Sequence, residues 1–202
     1  ALKGMPRTLT FEYLLTPAGL ENGRRISIAD DGRITSIDAV ESGPWDGTLA
    51  LPGMPNAHSH AFQRALVGVP ETRATDSFWS WREAMYAEAG RLDPDSAFEV
   101  ALLAYREMRA AGYVAVGEFH YPHHRPDGTP YDPPNAMAEA TIAAAAEAGI
   151  EIVLLMTAYE RAGSGLPPTP GQRRFCDPDV DAYLRRVDDL AAAHPGRVGL
   201  AP

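Results

Sequence analysis

Two histidines one residue apart, His58 and His60, stand where a short apolar run ends, inside Leu51-Pro-Gly-Met-Pro-Asn-Ala-His-Ser-His-Ala-Phe-Gln-Arg64. In an extended strand alternate side chains share a face, so His58 and His60 point one way and Ser59 the other. Two imidazoles at that spacing can hold a single metal ion, and each needs its second ring nitrogen fixed by a partner. A lone His-x-His is equally well two exposed loop histidines beside a turn. The flanking Pro-Gly-Met-Pro and the Phe62-Gln63-Arg64 that follow favour the metal reading. Gln63 and Arg64 come soon enough after the pair for at least one to face the same pocket.

The two-residue period recurs at Glu118 and His120, again where a strand should end. A carboxylate inside a buried strand is costly unless it is paired or hydrogen-bonded. The carboxylate therefore reads either as salt-bridged to one of the chain's many arginines or, with His120, as orienting the His58 and His60 rings, with direct metal ligation the less favoured alternative. His123 and His124 lie in a Pro-flanked loop and read as solvent-facing, and His194, before a proline at a helix end, reads as a cap. Phe78-Trp-Ser-Trp-Arg-Glu83 is the densest aromatic segment. It reads as a core or interface helix with a surface arginine. Arg82 gains a role only if the substrate is a carboxylate, which guanidinium binds in bidentate fashion.

The elements that must position these residues change character along the chain. Thr8–Leu15, Arg25–Ala29 and Arg33–Asp38 have strand composition, with a turn signal at Asp30-Asp31-Gly32. Residues 1–50 are thus expected to form part of a small antiparallel β-domain, too thin to stand alone. From residue 51 helix and strand patterns alternate. Ser77–Gly90 has helical period. Asp93-Pro94 starts a helix that runs through Phe98, Leu102, Tyr105 and Met108 to a stop at Gly112. Tyr113–His120 is a strand, Asn135 caps an Ala-rich helix ending at Gly149, and Glu151–Thr157 reads as a parallel strand buried on both faces. Asp179–His194 is a further helix, and Arg197–Ala201 begins another strand.

This alternation predicts an α/β fold, a parallel sheet with helices outside it. A doubly wound sheet and part of a (β/α)8 barrel both satisfy it. No Gly-rich phosphate loop follows the first strand, which counts against nucleotide binding. The polar clusters His58/His60, Glu118/His120/Tyr121 and Tyr159/Glu160 fall at strand C-terminal ends, the face where barrels build their sites. A barrel takes roughly 250 residues, so residues 51–202 are expected to be its first strands and helices, in an N-terminal fragment of a longer enzyme.

The chain has 202 residues, a net charge of −9 and a pI near 5.1, which argue against nucleic-acid or membrane-surface partners. The single cysteine, Cys176, excludes an internal disulfide and suits a reducing compartment. Its place after Arg173-Arg174 admits a mildly activated thiol, though an incidental one is favoured. No apolar run is long enough to span a membrane, and the first residues lack a signal-peptide core. The expectation is a soluble, cytoplasmic protein.

Pro52-Gly-Met-Pro-Asn-Ala-His-Ser-His60 after a small β-domain resembles the amidohydrolase superfamily of metal-dependent TIM-like barrel hydrolases. With Asp76–Glu83, Glu118-Phe-His-Tyr121 and Gly171-Gln-Arg-Arg-Phe175, the string His58–Arg64 looks like the N-formimino-L-glutamate deiminases of histidine degradation. The resemblance implies a site for Zn2+ or another divalent metal with His58 and His60 as two ligands. Further ligands and the catalytic proton shuttles would lie C-terminal to Pro202. It also implies Gln63, Arg82 and Tyr121 as contacts for a small dicarboxylate substrate, a homodimer, and a fragment inactive alone. Ala57 and Glu160-Arg161 depart from the pattern of those deiminases. Another amidohydrolase, such as an aromatic-base deaminase, and a non-catalytic module are the alternatives.

Overall fold

A computed structural model describes residues 6–68 and 78–202 of the protein. Asp76 and Ser77, part of one string and the expected start of a helix, lie outside the described residues. The chain divides into two compact units at Gly53/Met54.

In the first unit, β1 (Arg7–Thr16), β2 (Gly19–Ile28), β3 (Ile34–Ala39) and β4 (Gly47–Ala50) form one sheet in the order β3-β2-β1-β4. The β1/β2 and β2/β3 pairs are antiparallel, with Asp30-Asp31-Gly32 turning the second hairpin, as the alternation predicts. β4 instead pairs parallel to β1, so the sheet is mixed rather than antiparallel. The linker explains the difference. It returns to the far edge of β1, where Asp46 accepts the Thr10 N–H at 2.7 Å and the Thr10 hydroxyl at 3.0 Å. The next strand must then run in the direction of β1.

The second unit is a parallel sheet of β5 (Met54–Ser59), β6 (Tyr113–His120), β7 (Glu151–Thr157) and β8 (Val198–Ala201), with α1 (Phe78–Ala89), α2 (Pro94–Ala110), α3 (Ala136–Ala148) and α4 (Val180–Ala193). Its spatial order, β5-β6-β7-β8, is the order in sequence. A doubly wound sheet reverses its strand order at a switch point, whereas a barrel adds each strand beside the last. The sheet is therefore the first part of a (β/α)8 barrel.

Asp93 opens α2 as expected, accepting the Ser96 N–H at 2.8 Å while the Ser96 hydroxyl accepts the Asp93 N–H. Gly112 closes it at φ +91°. Asn135 stands at the start of α3 but does not cap it. Its amide donates to the Arg186 carbonyl at 2.9 Å, tying α3 to α4. Val116 of β6 and Ile152, Leu154 and Met156 of β7 pack against Leu102 and Tyr105 of α2, Ile142 of α3 and Val187 and Leu190 of α4. Within these residues the helices cover one side of β7 and Val153 lies on the other. Among the described residues no helix is long and apolar enough to cross a membrane.

Candidate active site

Each site residue comes from the C-terminal end of a strand or the segment after it. β5 delivers the histidines through an irregularity: its pairing with β6 shifts register between Asn56 and Ser59. The neighbouring strand makes room with a glycine. A Cβ on Gly117 would sit 2.9 Å from the Ala57 carbonyl oxygen, closer than real side chains approach. Past the bulge the alternation holds, with Ser59 buried and His58 and His60 on the open side.

The two rings meet through their Nε2 atoms at 3.0 Å. His60 Nδ1 lies 3.0 Å from the Phe119 carbonyl oxygen, which can only accept, so Nδ1 carries the hydrogen and Nε2 offers a lone pair. Burial, with His58 beside it, lowers the His60 pKa despite that bond, which keeps the ring in the neutral form that ligates metals. Two nitrogens about 2.0–2.1 Å from one tetrahedral ion are roughly 3.3 Å apart, so a slight opening of this pair admits one. The pair fits a divalent ion as two of its ligands. Among the described residues no cluster of three His, Cys, Asp or Glu completes the set.

Neither Glu118 nor His120 reaches these rings. β6 turns Phe119 toward the histidines, its ring stacked on His58 at 5.7 Å and edge-on to His60 at 5.4 Å. Glu118 and His120 therefore point the opposite way, into the helices. Glu118 Oε1 accepts the Ala61 N–H at 2.7 Å, and no arginine pairs with it among the described residues. Burial lifts its pKa to about 7 against the pull of Ala61, Ser59 and Tyr105. His120 packs on His123 at 5.4 Å, and burial with the charges of Arg186 and Arg174 pushes its pKa down to about 3.

The loop histidines correct the sequence reading most sharply. His123 and His124 are 1% and 3% exposed. His123 Nε2 meets the Thr157 carbonyl at 2.9 Å, and His124 Nε2 meets Asp177 at 3.1 Å. Asp177 also binds Arg186, in a bidentate pair at 2.6 and 2.8 Å. The loop is held inward by the His123 and His124 N–H groups, which both donate to the Arg174 carbonyl, at 3.0 and 2.9 Å. His194 ends α4, and its ring meets Glu139 at 2.7 Å. Burial, with Asp177 and Glu160 nearby, raises the Cys176 thiol to about 11, so it is not activated.

Of the residues after the pair, Gln63 faces the site, donating to the Tyr121 hydroxyl at 2.9 Å. Arg64 turns away to a bidentate pair with Glu107 on α2. Tyr121 lies edge-on to His60 at 5.3 Å and to Phe175 at 5.0 Å. Arg82 donates through Nε to the Tyr86 hydroxyl at 2.5 Å. Gln172, which is fully buried, donates to both Tyr86 and Tyr159. The rings of Tyr86 and Tyr159 flank Phe175 at 5.8 and 5.6 Å. Phe175 thus joins the Gln63–Tyr121 pair to the arginine cluster. Sequence reasoning placed Tyr159 in a polar cluster at a strand end and Gln172 and Phe175 in one of the strings, but named none of them, nor Tyr86, as a site residue. One signal was present: Thr169-Pro-Gly-Gln172 has capping-box spacing, which locates a turn here.

The amidohydrolase family profile matches residues 49–201. The chain belongs to the amidohydrolase family. Over 187 residues this amidohydrolase is 44% identical to the formimidoylglutamate deiminase of Pseudomonas aeruginosa, covering 90% of this chain and 41% of that protein. It superposes on the crystal structure of an amidohydrolase from Brucella melitensis with a TM-score of 0.86 and 39% identity, over 97% of this chain and 46% of that one. A zinc-complexed atrazine chlorohydrolase from Arthrobacter aurescens shares the fold, with a TM-score of 0.69 and 21% identity over 96% of this chain and 45% of that one. The chain spans less than half the length of each of these relatives.

Proposed function

We propose that the protein carrying this chain is a divalent-metal-dependent deiminase that converts N-formimino-L-glutamate and water to N-formyl-L-glutamate and ammonia, a step of histidine degradation. The observation that carries this reading is the pairing of two kinds of group around Tyr121 and Phe175. Neutral imidazoles suited to a metal lie on one side and a guanidinium suited to a carboxylate on the other. The 44% identity to a formimidoylglutamate deiminase supports it.

His58 and His60 would hold the ion, zinc being the first candidate, through Nε2. A divalent ion supplies Lewis acidity there, making water a nucleophile at neutral pH. The Phe119 carbonyl keeps the His60 lone pair aimed at that position. Tyr121, oriented by Gln63, offers a hydroxyl beside the reacting end of the substrate, and Arg82 would bind a carboxylate of the glutamate moiety. The reading extends to a homodimer, for which the exposed Phe78 and Trp79 of α1 offer apolar surface. A cytoplasmic setting goes with it, in keeping with one unpaired cysteine.

The test is ammonia release from N-formimino-L-glutamate by zinc-loaded protein that carries this chain with the remaining length its relatives have. Turnover should vanish on chelation and in His58→Ala and His60→Ala. No release from this substrate by the zinc-loaded protein refutes the proposal, and release from guanine or adenine instead transfers it to the aromatic-base deaminases.

A further inference from the structure

The hydrogen bonds around Gln172 have a fixed direction, and following it leads to one hydroxyl. Gln172 Oε1 accepts the Thr169 N–H at 2.8 Å, so the amide cannot be flipped without losing that bond. Its Nε2 must then present its hydrogens to Tyr86 at 2.9 Å and to Tyr159 at 2.8 Å. Tyr86 accepts a second time, from Arg82 Nε at 2.5 Å. A phenol oxygen offers one hydrogen and two acceptor positions at most. Both acceptor positions of Tyr86 are taken, so its own hydrogen runs to Tyr159, at 3.3 Å. Tyr159 now accepts from Gln172 and from Tyr86. Its O–H is left with no acceptor among the described residues.

Arg82 ends in the same condition. Among the described residues only its Nε has an acceptor, and none is found for the Nη1 and Nη2 groups. The guanidinium is steadied over the rings of Trp79 and Tyr86, at 5.4 and 5.3 Å. One phenol hydrogen and the two Nη groups therefore point out of a single cluster. Its foundation is rigid: Gln172 and Phe175 are fully buried, and Tyr86 is 8% exposed. Donors without acceptors, held on a preformed base, suit a carboxylate, which brings acceptors only.

We propose that Tyr159 is a substrate-binding residue. Its hydroxyl and the Nη edge of Arg82 form one carboxylate subsite, with Gln172 and Tyr86 as positioning residues. The substrate's identity rests on the deiminase reading; the subsite itself takes a small dicarboxylate. Tyr159 stays a donor at neutral pH, since burial and its bond to Tyr86 raise its pKa to about 12. Glu83, the carboxylate whose charge acts on Arg82, is exposed on α1, and Glu160, next to Tyr159, pairs with Arg161 at 3.9 Å.

Tyr159→Phe removes the O–H and keeps the ring on Phe175. Glutarate binding, measured by calorimetry on the zinc-loaded protein with the length of its relatives, should weaken about ten- to hundredfold, the cost of one hydrogen bond to a charged group. KM for N-formimino-L-glutamate should rise by the same factor with kcat little changed. Tyr86→Phe, which frees Arg82 Nε, should weaken glutarate as well. Wild-type protein that does not bind glutarate, or a Tyr159→Phe variant that binds it equally well, overturns the subsite. A lowered melting temperature with unchanged glutarate affinity does so too, since a merely structural role gives that result. Failure of the deiminase reading looks different: no ammonia from wild type, while glutarate binding and its loss in Tyr159→Phe persist.

Discussion

Replacing Glu118 by glutamine should remove a pH dependence that this carboxylate imposes on folding. Glu118 is 1% exposed and Oε1 accepts the Ala61 N–H at 2.7 Å; the pull of Ala61, Ser59 and Tyr105 falls short of offsetting its burial. Burial raises its pKa from 4.5 to about 7. Between those values the folded protein holds a proton that the unfolded chain has lost. Stability is then fully present below the unfolded value and falls as pH rises toward the folded one. Each unit is worth about 1.4 kcal/mol, so the raised value costs on the order of 3 kcal/mol by neutral pH. Glutamine does not titrate, and its amide oxygen can still accept from Ala61. Urea unfolding of both proteins, freed of metal by chelator, measures the gap. Glu118→Gln should gain about 3 kcal/mol on wild type between pH 4.5 and pH 7, with the gap constant outside that window. A gap that stays flat across it would refute the reasoning, because it would mean the carboxylate is solvated or paired in the folded protein.

Two further outcomes test the frame around the site. Asp177→Asn leaves Arg186 buried without its counter-charge and should cost about 3–5 kcal/mol in denaturant unfolding; a loss under about 1 kcal/mol, the worth of an exposed pair, would show the pair is not buried. Gly117→Ala drives a Cβ to within 2.9 Å of the Ala57 carbonyl and must shift the backbone that carries His58. Zinc titration should show affinity reduced about tenfold or more, by analogy with losses when ligand-orienting groups are changed, with helix content retained. Unchanged affinity would show that the bulge does not set the ligand geometry.

The pattern of the second unit was readable because each element carries a local cause. The Asp93-Pro94 start, the Gly112 and Gly149 stops and the apolar run of β7 act within a few residues. The His58/His60 geometry was readable for the same reason, since one strand supplies both rings. What escaped were contacts made across the sequence. Glu118 has the right spacing to orient a ligand but lies on the face of β6 away from the histidines, and periodicity cannot tell the two faces of a strand apart. His123 and His124 sit in a loop of exposed composition. The Thr157 carbonyl and the Asp177 carboxylate, both distant in sequence, make their burial tolerable. Tyr159 and Gln172 acquire a role only when a turn folds against α1. The parallel pairing of β4 depends on Asp46 reaching Thr10, which no local pattern encodes.

The bond from His60 to the Phe119 carbonyl has an evolutionary side. Its acceptor belongs to the main chain, so no single substitution at position 119 deletes it. Drift there can alter the ring packed on His58 and His60, and with it the shape of the pocket, while the tautomer of His60 is inherited unchanged. Had a glutamate side chain served instead, one mutation would remove the orienting group together with its charge. A lineage carrying this arrangement can therefore vary the pocket at position 119 without disturbing the ring proposed to ligate a metal.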